Sequence, residues 1–253
     1  MTDAVQTART AISLLDLTNL NDVCTAADID ELIRRAHTPH GEVAALCIWP
    51  QWIEHARRGL GRSAIRIATV ANFPHGGADA KAAGREVAAA FAGSADEADI
   101  VIPYRAILNG EHGKAASVVA AARAATPRDK ILKVILETGE LKTREAILLA
   151  ADIALGEGAD FLKTSTGKVP VNATLEAAEL LMTRIKERGG ETGFKAAGGI
   201  RTTSDAGAYL DLAVRILGAG WISPRHFRFG ASGVLADLIA TIDGKATTAA
   251  TGY

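Results

Sequence analysis

Short apolar runs alternate with alanine-rich stretches of helical period along nearly the whole chain. The runs occupy residues 13–17, 43–48, 65–71, 99–102, 131–136, 160–164, 193–197 and 214–218. Each has strand length, and they recur near the ~30-residue interval of a βαβ unit. Helix signals fill the gaps. Thr25 and Asp28 ahead of Ile29, Leu32 and Ile33 read as a capping box opening an amphipathic helix. Pro50 followed by Trp52, Ile53 and Ala56, then Gly59, reads as a short helix with a proper start and stop. Residues 143–155 and 174–188 carry apolar positions on one helical face.

This alternation, repeated in a chain of 253 residues, predicts an α/β protein built as a single (β/α)8 TIM barrel. The barrel is expected over residues 1–243, with residues 244–253 as a flexible tail. A doubly wound open sheet competes, but it usually carries a glycine-rich phosphate turn after its first strand. Asp16-Leu17-Thr18-Asn19 offers none.

Composition removes several classes of partner. A net charge of −1 favours neither nucleic acid nor an anionic membrane surface. Charges interrupt every apolar run well before the ~18 residues of a membrane span. The amino-terminal segment lacks the apolar core of a signal peptide. Cys24 and Cys47 show no CxxC spacing, so a cytoplasmic setting is expected. No HExxH, zinc-ligand spacing or nicotinamide fingerprint occurs, so neither a metal nor a cofactor is expected. A two-fold homodimer is the default assembly.

Chemistry concentrates in residues 161–168, FLKTSTGK, where Lys163 ends an apolar run. A second lysine, Lys195, holds the corresponding place one repeat later, in residues 193–199, GFKAAGG. Strand ends carry the functional groups of a barrel, and neighbouring strands lie about 4.8 Å apart. Two ammonium groups at ~4 Å and an effective dielectric of ~20 repel by about 4 kcal/mol. That equals ~3 pKa units, enough to carry one lysine toward neutrality and make it a nucleophile. Either lysine alone could instead snorkel to solvent or pair with a carboxylate. Asp99 opens the fourth run and could face the lysines from the barrel interior, or lie at the surface at the strand start. Lys133 is expected to form a buried structural pair with Glu137. Asp16 and Thr18 could hydrogen-bond a substrate hydroxyl or serve ordinary turn chemistry.

Glycines mark an anion site. Gly198 and Gly199 follow the seventh run, and residues 229–233, FGASG, precede an expected last helix at 234–242. Gly167 and Lys168 add a third glycine-bearing loop and a point charge. Backbone N–H groups and a helix N-terminus at the loops after strands seven and eight favour a phosphate.

At these residues the sequence resembles the deoxyribose-phosphate aldolases, a class I (Schiff-base) family, along nearly its whole length. The closest stretches are residues 161–168, 193–201, 67–76 and 225–232. The resemblance implies reversible cleavage of 2-deoxy-D-ribose 5-phosphate to D-glyceraldehyde 3-phosphate and acetaldehyde. It implies that Lys163 forms the imine, Lys195 lowers its pKa and Asp99 joins a proton relay. It assigns Thr166, Gly167, Lys168, Gly198, Gly199 and Ser232 to the phosphate and its surroundings, and Asp16, Thr18 and Cys47 to the hydroxyl-facing part of the pocket. Gly233 stands where relatives commonly have serine, which implies a weaker phosphate preference, and Ala196 where they often have proline. Relatives often end in a tyrosine that reaches the site, a role that would fall to Tyr253. A transaldolase-like Schiff-base enzyme, a non-catalytic sugar-phosphate-binding barrel and a metal-free phosphosugar isomerase remain as other readings.

Overall fold

The computed structural model describes residues 3–245. Eight parallel strands close into a barrel: β1 (Leu15–Asn19), β2 (Ala45–Ile48), β3 (Arg66–Ala71), β4 (Glu97–Val101), β5 (Ile131–Ile135), β6 (Phe161–Lys163), β7 (Gly193–Ala197) and β8 (Phe227–Ala231). Each pairs with its sequence neighbour, and β1 closes the ring against β8 with Asp16 opposite Gly230. The α/β barrel expected from the sequence is the architecture found.

The helices start where local chemistry directs. Thr25 accepts from the Asp28 amide while the Asp28 carboxylate accepts from Thr25 N at 2.8 Å, so helix Ala26–Ala36 has a reciprocal cap. Thr143 and Thr174 cap helices Arg144–Gly156 and Leu175–Glu187 in the same one-sided way. The turn at Pro50 is a short 3-10 segment that leads into helix Ile53–Leu60. That helix closes at Gly61, whose φ is 55°, rather than at Gly59. An amino-terminal helix, Ala4–Ser13, precedes β1 and packs on the last helix, Val234–Ile242. The sequence pattern had not separated it from the first strand.

One strand assignment is corrected. Residues 214–218 are not the eighth strand; they form the end of helix Thr203–Leu217, which stops at Gly218 with φ 90°. Val214 is 42% exposed, so the apolar run is a helix end turning outward. The true eighth strand, Phe227–Ala231, is disguised by Arg228, which alternation aims at the barrel axis between outward-facing Phe227 and Phe229.

Alternation also divides the interior. Ala98, Leu132, Val134, Leu162, Phe194 and Phe229 point outward into the helix layer and join the main apolar core. Inward, β2 and β3 present Ala45, Cys47, Ala68 and Val70, a small apolar cluster with Leu20. Much of the remaining inner wall is charged: Asp16, Glu97, Asp99, Lys133, Lys163, Lys195 and Arg228 are all essentially buried, with the Phe161 ring against Lys133 and Arg228. Such a wall differs from the aliphatic layers that usually fill this fold.

Candidate active site

Strand β4 starts two residues earlier than the sequence pattern suggested, so Asp99 lies in mid-strand and is fully buried rather than at the surface. Its Oδ2 accepts from Lys163 Nζ and from Lys195 Nζ, both at 2.8 Å, and its Oδ1 accepts from Lys133 Nζ at 2.7 Å. Lys163 and Lys195 face each other in register across β6 and β7. The expected lysine pair is therefore present, but a carboxylate bridges it and offsets much of the repulsion argued from spacing alone.

Beneath this triad the pairing continues. Lys195 also donates to Asp16 Oδ2 at 2.5 Å, and Arg228 Nη1 to Asp16 Oδ1 at 2.5 Å. Arg228 Nη2 reaches Glu97 Oε1 at 2.8 Å, while Lys133 Nζ lies 2.5 Å from Glu97 Oε2. Lys133 thus pairs with Glu97 and Asp99 on the neighbouring strand, not with Glu137. Glu137 lies beyond the end of β5, where Thr166 N and Thr166 Oγ1 donate to its carboxylate at 3.2 and 2.5 Å.

The electrostatics follow from this wiring. Burial opposes ionisation of Asp99, but Lys133, Lys163 and Lys195 outweigh it and hold the carboxyl well below its usual range. Asp16 behaves alike, with Lys195, Arg228 and Lys133 overcoming desolvation. Desolvation also opposes the charge on Lys195, yet Asp16 and Asp99 raise its pKa, so it stays cationic. Burial pushes the Cys47 thiol up, which keeps it a neutral apolar neighbour. Glu137 is likewise pushed up by burial, against the Thr166 hydrogen bonds and the Lys163 charge.

Above the triad opens a cavity of about 300 Å³ with Lys163 in its wall. Of the residues singled out in the sequence, Thr18, Thr166, Gly167, Gly198, Gly199 and Ser232 line it too. Asp16, Lys195 and Asp99 lie below, out of the lining. Cys47 lies in the inner apolar cluster, paired in register with Thr18. Lys168 leans to the rim, donating to Leu20 O at 2.8 Å and to Asp22 at 3.1 Å. Gly233 occupies the N-cap of helix Val234–Ile242, next to Ser232. Tyr253 lies outside the described residues.

Glycine is required at 198. Its φ is 80°, and a Cβ there would stand 2.8 Å from the Asn172 side chain. With Gly167 and Gly199, it turns backbone toward one end of the cavity, where helix Val234–Ile242 also begins. This end suits an anion. Among the other residues of the lining, two carry polar side chains to which the sequence had assigned no role. Arg201 brings a cation to its edge, and Asn172 carries a buried Oδ1 with no hydrogen-bond partner. Arg201 follows the double glycine directly, which was a readable signal; Asn172 sits in an irregular loop and gave none.

A buried amine in the cavity wall, a buried carboxylate holding it, a fixed cation beside it and an anion-favouring end together suit imine chemistry on a phosphorylated carbonyl compound. Comparisons with known proteins agree. Residues 10–236 match the family described as DeoC/LacD family aldolase. The chain is 50% identical over 250 residues to the deoxyribose-phosphate aldolase of Agrobacterium fabrum (strain C58), covering 98% of this chain and 96% of that one. Among solved structures, a candidate deoxyribose-phosphate aldolase of Toxoplasma gondii ME49 superposes with a TM-score of 0.87 at 24% identity, over 97% of this chain and 99% of that one. The tetrameric deoxyribose phosphate aldolase of Aeropyrum pernix gives 0.73 at 24% identity, over 94% and 96%. A triosephosphate isomerase of Bartonella henselae, at 14% identity and 0.57 over 92% and 98%, shares the barrel alone. The chain belongs to the DeoC/LacD family of aldolases.

Proposed function

We propose that this chain is a class I aldolase that reversibly cleaves 2-deoxy-D-ribose 5-phosphate to D-glyceraldehyde 3-phosphate and acetaldehyde, with Lys163 as the nucleophile. The observation that carries the assignment is the position of Lys163. Of the buried lysines it alone lines the cavity, and it meets a single carboxylate oxygen that it shares with Lys195.

The amine of Lys163 adds to C1 of the open-chain sugar, and loss of water leaves a protonated imine. A base takes the proton of the C3 hydroxyl and the C2–C3 bond breaks. Its electron pair moves into the imine, which becomes an enamine as glyceraldehyde 3-phosphate leaves. Protonation at C2 and hydrolysis then release acetaldehyde and restore the amine. Asp99, with Lys195, is suited to pass these protons through water. Arg201, Ser232 and the glycine loops after β6 and β7 suit the phosphate. Both cysteines are free, in keeping with a cytoplasmic setting. No helix among the described residues is long and apolar enough to cross a membrane. A homodimer remains our proposed assembly.

The test is reductive trapping. Cyanoborohydride with deoxyribose 5-phosphate should fix the adduct on Lys163, located by mass mapping. An adduct on Lys195, or none, would sink the assignment.

A further inference from the structure

The charged groups of the barrel interior do not balance. Lys133, Lys163, Lys195 and Arg228 make four cations against the three carboxylates Asp16, Glu97 and Asp99. The shortage is not shared evenly. Lys133 lies within 4 Å of three carboxylates, at 3.6 Å from Asp16, 2.5 Å from Glu97 and 2.7 Å from Asp99. Lys195 meets Asp16 and Asp99, and Arg228 meets Asp16 and Glu97. Lys163 meets Asp99 alone. Of the four cations, Lys163 has the fewest ion-pair partners.

We propose that Arg228 and Glu97, at the base of the interior and out of reach of substrate, are positioning residues that set this imbalance and with it the pH at which Lys163 forms the imine. The proposal rests on the assignment of Lys163 as nucleophile made above. Arg228 is 1% exposed and its guanidinium is fixed by Asp16, Glu97 and the Pro224 carbonyl, so its charge is permanent and poorly screened. It adds a fixed positive charge to the lysine cluster without touching the cavity. Glu97 acts in the opposite sense by holding Lys133 and Arg228 in place as cations.

The other groups facing Lys163 do not alter the comparison. They are Asp99 on β4, Lys133 on β5, Lys195 on β7, Asp16 on β1, Cys47 on β2 and Glu137 past β5. Glu137 is engaged by Thr166 and forms no ion pair with the set, although the Lys163 charge acts on it through space. On β3, Arg66 reaches Glu97 at 3.5 Å from outside, but it is half exposed and screened by water. Arg201 and Lys168 belong to the cavity rim. All of these are common to every variant below.

The sign is fixed. Arg228→Gln removes a buried positive charge and leaves three cations to three carboxylates, so adduct formation should begin at higher pH. Glu97→Gln leaves four to two, so adduct formation should begin at lower pH. Arg228 is two strands from Lys163, roughly 10 Å. A unit charge at about 10 Å and an effective dielectric of ~20 moves the midpoint by about one pH unit.

The experiment measures the rate of cyanoborohydride-trapped adduct on Lys163 against pH, with deoxyribose 5-phosphate, in the full-length enzyme and its variants. The acid-side midpoint should rise by about one pH unit in Arg228→Gln and fall by about as much in Glu97→Gln. It should return to the parental value in the double variant and stay there in Arg228→Lys, whatever happens to the absolute rate. If Arg228→Gln does not fold, a fall in Glu97→Gln with no movement in Arg228→Lys supports the proposal. Midpoints that stay put in both single variants, or move the same way, overturn it. A parent with no adduct on Lys163 overturns the proposed function instead, a result distinguishable from all of these.

Discussion

Lys163 and Lys195 donate to the same oxygen of Asp99, each at 2.8 Å, which places the two amines no farther apart than twice that distance. One carboxylate oxygen cannot fully compensate two ammonium groups. Lys195 has Asp16 as a second ion-pair partner, whereas Lys163 feels Glu137 only from beyond ion-pair distance. Replacing Lys163 by Met should therefore abolish the adduct and lower turnover by ~10³-fold or more, with the fold retained. Retro-aldol rates and a thermal melt check both halves. A variant with parental turnover would end the case for this amine.

Asp99→Asn should cost both stability and activity. It leaves Lys133, Lys163 and Lys195 around a neutral amide, and breaking buried pairs in this way typically costs about 3 kcal/mol or more. A drop in denaturant midpoint accompanied by at least a hundredfold loss of turnover is the expected pattern. Loss of turnover with an unchanged midpoint would mean that Asp99 has no part in holding the interior together.

Stability should fall at both ends of the pH scale. Asp16 and Asp99 have depressed folded pKa values, so the folded state binds fewer protons than the unfolded chain. Their contribution is complete above the unfolded carboxylate value of about 4 and is lost as pH falls below it. Lys133 and Lys195 are raised, so theirs is complete below about 10 and is lost as pH climbs beyond. Denaturant melts across pH should trace both limbs, and Asp16→Asn should flatten the acid one.

Phosphate recognition should respond to Arg201 and Gly233. Removing a charged hydrogen bond costs ~1.5–3 kcal/mol, so Arg201→Ala should raise KM for the phosphorylated sugar by about tenfold or more. Free deoxyribose should be little affected. Gly233 has φ −70°, which a serine adopts without strain, and it follows Ser232 directly. Gly233→Ser should raise the preference for phosphorylated over free sugar a few-fold, the worth of about one hydrogen bond. Equal ratios in parent and variant would rule out a hydroxyl contact at 233.

Glu137→Ala should act through Thr166. The carboxylate fixes both the amide and the hydroxyl of that residue, and Thr166 Oγ1 in turn accepts from Lys168 N at 3.0 Å. Freed, the loop should bind phosphorylated substrate about tenfold more weakly, by the loss of roughly one to two hydrogen bonds, with turnover reduced less. Glu137→Gln, which keeps one acceptor, should recover part of the loss in KM.

The barrel was legible because seven of its strands are apolar runs set between capped helices. Thr25, Thr143 and Thr174 announce their helices through hydroxyls whose only efficient use is at an N-cap. The eighth strand was hidden because one inward arginine, Arg228, breaks the apolar run, while the end of the preceding helix supplies a decoy. The lysine pair could be found from matching positions one repeat apart. Its bridge stood as one of two alternatives, since the start of β4 had to be known before Asp99 could be placed inward rather than at the surface. Lys133 was matched to Glu137 by closeness in sequence, whereas parallel strands bring Glu97 and Asp99, from the previous repeat, nearer in space.

Asp16 and Arg228 belong to the first and the last strand of the ring, and each is buried with the other as partner. Neither has its full set of partners until the first and last strands have met. An open arc of seven strands would leave one of them short of a charged partner in a drying interior, so partial assemblies gain less. The polar inner wall thus ties the last pairing to all earlier ones, and folding should proceed as a single concerted transition in which circular closure is the committing event.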